Sequence, residues 1–170
     1  VHSLAYAQKL SHTVKKISLL NKVNVHIKVD TGMCRLGFFY RGDDDIAVKE
    51  IAAVVKLDGL NPVGIYTHLS AADESEKDDY TKKQFELFNK MIISLKARGI
   101  VFPVKHCLNS AGVMRFPKNA MDMVRVGLAL YGLAPSEETK SAFLRPIMRL
   151  QATVTEVKTV PENEYLSYGM

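Results

Sequence analysis

Apolar residues recur at helical spacing from the start of the chain. Leu4, Ala7, Leu10, Val14 and Ile17 share one side of a helix over residues 3–20. The next stretch, VNVHIKVD at 23–30, alternates apolar with polar and predicts a strand. Helical spacing returns after Gly42 and the acidic run 43–45, with Ile46, Ile51, Val54 and Val55 on one face and Gly59 as a stop. PVGIYTH at 62–68 predicts a second strand. A third helix over 78–98 carries Phe85, Phe88, Ile92 and Leu95 together, and Gly99 ends it. Asp78 and Asp79 fall in its first turn, where the helix dipole favours carboxylates. Strands are expected at 104–109 and 123–126, with a short helix after Ser110 between them. The order α-β-α-β-α-β-α-β predicts a parallel sheet with crossover helices.

The texture changes after Gly132. APSEETKSA at 134–142 is polar, and 144–160 reads as long β structure with no helix. A domain boundary is expected at 137–143. Residues 1–136 would form one α/β unit, and 144–170 would be the start of a mostly-β domain, too short to fold alone. The chain is thus expected to be part of a longer protein, as its first residue, Val1, also suggests.

Composition narrows the function classes. Apolar residues make up 47% of the 170 and charged residues 24%, enough for a buried core and unlike a disordered chain. No apolar run reaches the ~18 residues of a membrane span, and the opening segment reads as a helix rather than a signal peptide. Cys34 and Cys107 are too few for a disulfide framework, which predicts a reduced, cytoplasmic setting. The net charge is +5, but the 23 basic residues are dispersed without interleaved aromatics, so nucleic-acid binding is not expected.

Each predicted strand runs into polar residues: Lys28, Asp30, Thr31-Gly32 and Arg35 after the first, Thr67-His68 after the second, Asn109-Ser110 after the third, and Arg125 and Gly127 on the fourth. The C-terminal ends of parallel strands are where α/β folds place active sites. Within VNVHIKVD the alternation puts His26, Lys28 and Asp30 on one face and Val25, Ile27 and Val29 on the other. If the apolar face packs helices, Lys28 points inward, where a lysine is costly unless paired. The alternative is an edge-strand lysine reaching solvent. Ser110 is either a plain helix cap or part of an anion cup with Gly127. His2, His12 and His106 lack metal spacing, and there is no G-x-S-x-G elbow for a serine hydrolase.

HIKVDTGMCRLGF (26–38), YTHLSAAD (66–73), HCLNSAG (106–112) and MVRVGLALYGL (123–133), in this order, resemble bacterial alanine racemase. LRPIMRLQATVTEVKTVP and the terminal SYG extend the resemblance over essentially the whole chain. It implies the second half of a TIM-type (β/α)8 barrel, pyridoxal 5'-phosphate as cofactor, and a homodimer with shared active sites. Lys28 would be a carbamylated lysine paired with Arg35, which would contact substrate. His68, Asn109, Ser110, Arg125, Gly127 and Leu128 would hold the cofactor, with Arg125 at its pyridine nitrogen. A guanidinium keeps its proton, so that ring would be a restrained electron sink. Tyr168 would be the catalytic base for L-alanine, reaching into the partner subunit. The activity implied is interconversion of L- and D-alanine by two bases, feeding peptidoglycan synthesis.

The resemblance also marks gaps. The A-V-V-K-A-N-A-Y-G segment that carries the Schiff-base lysine is absent; Ala53-Val54-Val55-Lys56 imitates its first half but falls on a helix after the DTG motif. Cys34 stands where the family commonly has Gly, so the loop before Arg35 must accept a Cβ. Serine or broader racemases share these motifs. Two other readings remain: a barrel-type amino-acid decarboxylase, or a non-catalytic pyridoxal-phosphate-binding module.

Overall fold

A computed structural model describes residues 1–17, 21–42, 45–140, 143–165 and 168. Helix α1 (Leu4–Lys16) starts at Ser3, whose hydroxyl accepts from the Tyr6 N–H. It leads into β1 (Val23–Asp30), a two-residue β2 (Phe38–Phe39), α2 (Ile46–Val55) and β3 (Leu60–Tyr66). Then come α3 (Asp78–Lys96), β4 (Val104–His106) and α4 (Ser110–Arg115). The strands pair in parallel in the order β2-β1-β3-β4. This is the parallel α/β arrangement expected, an open part of a TIM-type barrel.

The two faces of β1 divide the molecule. Val25, Ile27 and Val29 join Ile51, Val54, Phe88 and Met91 in one buried cluster beneath the helices. The other face carries two rows across the sheet: His26, Gly64 and Val104, then Lys28, Tyr66 and His106. A bulge sets this register, because Val25 pairs with Pro62 while His26 pairs with Gly64. Pro62 has no N–H to donate to a ladder, so an irregularity there costs little. Its consequence is that Gly64, not a larger residue, lies opposite His26. A Cβ on Gly64 would stand 2.6 Å from the His26 ring.

Several expectations require correction. Residues 123–126 form no strand. They lie beside β4 through the Asp122 N–H on the Lys105 carbonyl and the Arg125 N–H on the Leu108 carbonyl, two bonds too far apart to make a ladder. Residues 144–160 form no strand either; Leu150, Val154 and Val157 are exposed, and β backbone needs a partner strand that this segment does not meet here. The short β2 was not foreseen. The first helix ends before 18–20, which lie outside the described residues, as do 43 and 44 of the acidic run. Asp45 precedes α2 without a side-chain capping bond; its carboxylate pairs with Arg98 and Lys49 instead.

Two residues within the stretch expected as a linker, Glu138 and Thr139, are held by the rest of the chain. Thr139 is buried in a capping box with Ser136, and the Glu138 carboxylate accepts from the N–H and hydroxyl of Ser75 while reaching Arg115. Replacing Gly64 with alanine should lower stability by about 1–3 kcal/mol by overpacking His26. Urea denaturation measures it, and an unchanged midpoint would contradict the close approach.

Candidate active site

The turn after β1 is built by one carboxylate. Asp30 is buried, and its oxygens accept from the backbone N–H groups of Gly32 (2.9 Å), Cys34 (3.1 Å) and Arg35 (3.1 Å). Arg41 steadies the same residue by donating to its carbonyl at 2.9 Å. The chain is thereby wrapped around Asp30 and Arg35 is presented beside β1. Cys34 takes the left-handed backbone conformation, at φ 54°. That is why glycine suits this position, and the Cβ of Cys34 carries a strain of about 1–2 kcal/mol.

A cavity of about 290 Å³ opens at the ends of β3 and β4. Its lining includes His68, Asn109, Ser110, Arg125, Gly127 and Leu128, with Asp73, Ala111 and Pro135 beside them. All six residues proposed from the sequence to hold a cofactor therefore share one wall. Asn109, rather than Ser110, is the N-cap of α4: its carboxamide oxygen accepts from the Gly112 N–H at 2.9 Å. Ser110 is left with another task. Its oxygen accepts from the Gly127 N–H at 2.8 Å and the Ala129 N–H at 3.5 Å, so its own hydrogen is available to a ligand. A Cβ on Gly127 would have the Ser110 Oγ as its nearest neighbour, at 3.9 Å. This backbone can approach a bound group closely.

Arg125 is the hub. Its Nη1 donates to His106 Nδ1 at 2.6 Å. Its Nη2 serves the Thr67 carbonyl (2.9 Å), His68 Nδ1 (3.0 Å) and the Cys107 carbonyl (3.3 Å). The guanidinium lies over the Tyr66 ring, which stacks on His106. Arginine can only donate, so Nδ1 of both histidines must accept. His106 therefore carries its proton on Nε2 and passes that hydrogen bond to His26 Nδ1 at 2.7 Å. Burial, and then the Arg125 charge, push both His68 and His106 down to about 4.

Lys28 is buried on the same face. Burial lowers its pKa first, and the Arg35 and Arg125 charges add to this against a counteracting Asp30. Arg35 and Lys28 also act on His68. Three cations are thus coupled here, and Asp30, the carboxylate that acts on Lys28, is already committed to backbone N–H groups.

Lys28, Arg35 and Tyr168 are not in the lining of this cavity. Tyr168 is fully exposed. Lys56 is the C-cap of α2, and no lysine lines the cavity among the described residues. Cys107 is buried, and burial pushes its thiol up to about 11, an inert state. Sequence reading missed Asp73 and the roles of His26 and His106. The alternation in VNVHIKVD placed His26 on the inner face, but nothing in the sequence paired it with His106.

The alanine racemase N-terminal domain family matches residues 1–135. The chain belongs to this family. The alanine racemase of Desulforamulus reducens is 46% identical over 150 residues, covering 87% of this chain and 40% of that protein. That of Methanococcus maripaludis is 42% identical over 171 residues, covering 99% and 44%. Among solved structures, alanine racemase from Clostridium difficile 630 in complex with cycloserine is similar with a TM-score of 0.78 at 37% identity, over 86% of this chain and 39% of that one. The enzyme from D-cycloserine-producing Streptomyces lavendulae gives 0.84 at 28% identity, over 99% and 44%. The chain therefore spans 40–44% of the length of the two curated relatives named.

The histidine pair gives a signed pH dependence. Both imidazoles titrate near 4 in the fold and near 6.5 when unfolded. Between these values the unfolded chain binds the extra protons, so their contribution is complete above about pH 6.5 and is lost as pH falls toward 4. The melting temperature should fall across that window. His106→Gln, which keeps an acceptor for Arg125, should flatten the slope by about half; an unaltered slope would remove His106 from the account.

Proposed function

We propose that the chain supplies the second half of the cofactor barrel of a pyridoxal-phosphate-dependent enzyme that interconverts L- and D-alanine. It would act in the cytoplasm as a homodimer and supply D-alanine for peptidoglycan. Residues 1–136 would be the barrel half and 144–170 the start of a β domain. The observation that carries this reading is the single cavity wall that Ser110, Gly127 and Arg125 share with His68 and Asn109.

The residues fit the group. The free hydrogen of Ser110, the open backbone at Gly127 and the neighbouring Leu128 suit a phosphate. His68 and Asn109 would flank the ring, and Arg125 would meet its nitrogen. Pyridoxal phosphate, when bound, supplies an electron-withdrawing ring that acidifies the α-carbon of an amino acid. Arg125 remains cationic although burial lowers its pKa. It would offer the ring nitrogen a hydrogen bond without giving up a proton, which restrains charge build-up there. Arg35, presented by the Asp30-bound turn, would receive the substrate carboxylate. Tyr168 would move the α-proton on one face from within the partner's site. The covalent lysine would come from the barrel half that this chain does not contain.

Lys28 has a role that its surroundings favour. A depressed pKa leaves some of it as neutral amine, the form that adds to CO2. An N–C bond would form, a proton would leave to solvent, and the resulting carbamate would pair with the Arg35 cation. In bicarbonate buffer, native mass spectrometry of the complete protein should show one added CO2, lost on acidification and absent from Lys28→Gln.

The activity test is polarimetry of the complete protein with pyridoxal phosphate and L-alanine. Racemisation is expected. Arg125→Glu should slow it by at least about tenfold while raising pyruvate formation by transamination. A cofactor-loaded protein that does not racemise alanine would overturn the assignment.

A further inference from the structure

Helix α3 lies on the outer side of the sheet, yet two of its residues hold both loops that carry the site. Gln84 is almost completely buried, with 1% exposure. Its Oε1 accepts from the Ser70 N–H and the Ser70 hydroxyl, both at 3.0 Å. Its Nε2 donates to the His68 carbonyl at 3.2 Å and to the Thr31 hydroxyl at 3.4 Å. Both lone-pair positions and both hydrogens of the carboxamide are therefore used. Thr31 in turn shares a hydrogen with Thr67 at 2.7 Å, which closes the bridge between the ends of β1 and β3. One helical turn earlier, Tyr80 donates its hydroxyl to the Gly32 carbonyl at 2.7 Å. Gly32 is pressed against both residues: a Cβ there would meet the Tyr80 hydroxyl at 2.6 Å and the Gln84 Nε2 at 3.2 Å.

We infer that Gln84 and Tyr80 are positioning residues for the proposed cofactor and substrate site: Gln84 sets His68 against Arg125, and Tyr80 holds the turn that presents Arg35. This rests on the site reading above for its purpose, but not for its geometry. The requirement is chemical. Glutamate at 84 could not donate to the His68 carbonyl, and methionine would fill the space while leaving four partners unmatched. Either change frees the backbone of His68. Its imidazole would then lose its fixed contact with Arg125 and gain water.

The test uses the complete protein with Gln84→Met and Tyr80→Phe. His68 is titrated by imidazole NMR, with Arg125, Arg35 and Lys28 as the cations that face it and Asp73 as the carboxylate on the same cavity wall. In Gln84→Met its pKa should rise from about 4 toward 6.5. Loss of stability alone would not move this value in the folded protein. In Tyr80→Phe, amide exchange at 32–35 should quicken about fivefold, the effect of one lost hydrogen bond, while β1 stays protected. An unchanged His68 titration together with unchanged exchange at 32–35 would overturn the inference. If Gln84→Met does not fold, Tyr80→Phe decides alone, because it removes only a part-exposed hydroxyl. Neither readout needs bound cofactor or turnover, so failure of the racemase reading would leave these results interpretable.

Discussion

The arrangement depends on a group of like charges held on one face of a sheet. Lys28, Arg35 and Arg125 each act electrostatically on the same small region. Asp30 is close, but its oxygens are occupied by three backbone N–H groups. A buried guanidinium is costly without partners, and Arg125 is met by carbonyl and imidazole acceptors rather than by a carboxylate. The result is a local excess of positive charge. A phosphate, a substrate carboxylate and a carbamate on Lys28 would each relieve the same repulsion.

Most of the scaffold was legible in the hydrophobic pattern. Val25, Ile27 and Val29 alternate, and they are buried beneath α2 and α3 as alternation requires. The helices over Ile46–Val55 and Asp78–Lys96 fall where apolar spacing and glycine stops put them. Failures came where structure depends on a partner strand. The 123–126 stretch has strand composition but is held beside its neighbours by spaced bonds at Asp122 and Arg125, and 144–160 has no ladder. Residue composition reports preference for an extended backbone; it does not provide the second chain of donors and acceptors that a strand needs.

The cavity was legible for a different reason. His68, Asn109 and Ser110 follow successive parallel strands, which brings them to one end, and backbone bonds to Leu108 and Ser110 bring Arg125 and Gly127 beside them. The interactions that fix their orientation were not legible. Gln84 looks like any polar residue on a helix, because its neighbours at 31, 68 and 70 are distant in sequence and meet only after the sheet forms. The contacts of Glu138 were not legible for a similar reason, because Ser75 and Arg115 meet it only in the folded chain.

Hydrogen-bond direction ties these parts together. Arg125 has no acceptor, so every bond it makes runs outward, and the direction propagates through His106 to His26. Each imidazole in that path must be neutral, since a second proton on His106 would face a guanidinium across 2.6 Å. His68 and His106 are therefore neutral in the fold above about pH 4, and they add no charge to the site at neutral pH. Gly64 makes this possible by leaving room for the His26 ring, and the bulge at Pro62 places Gly64 there. A backbone irregularity at the base of the sheet thus bears on the hydrogen-bond chain that ends at Arg125.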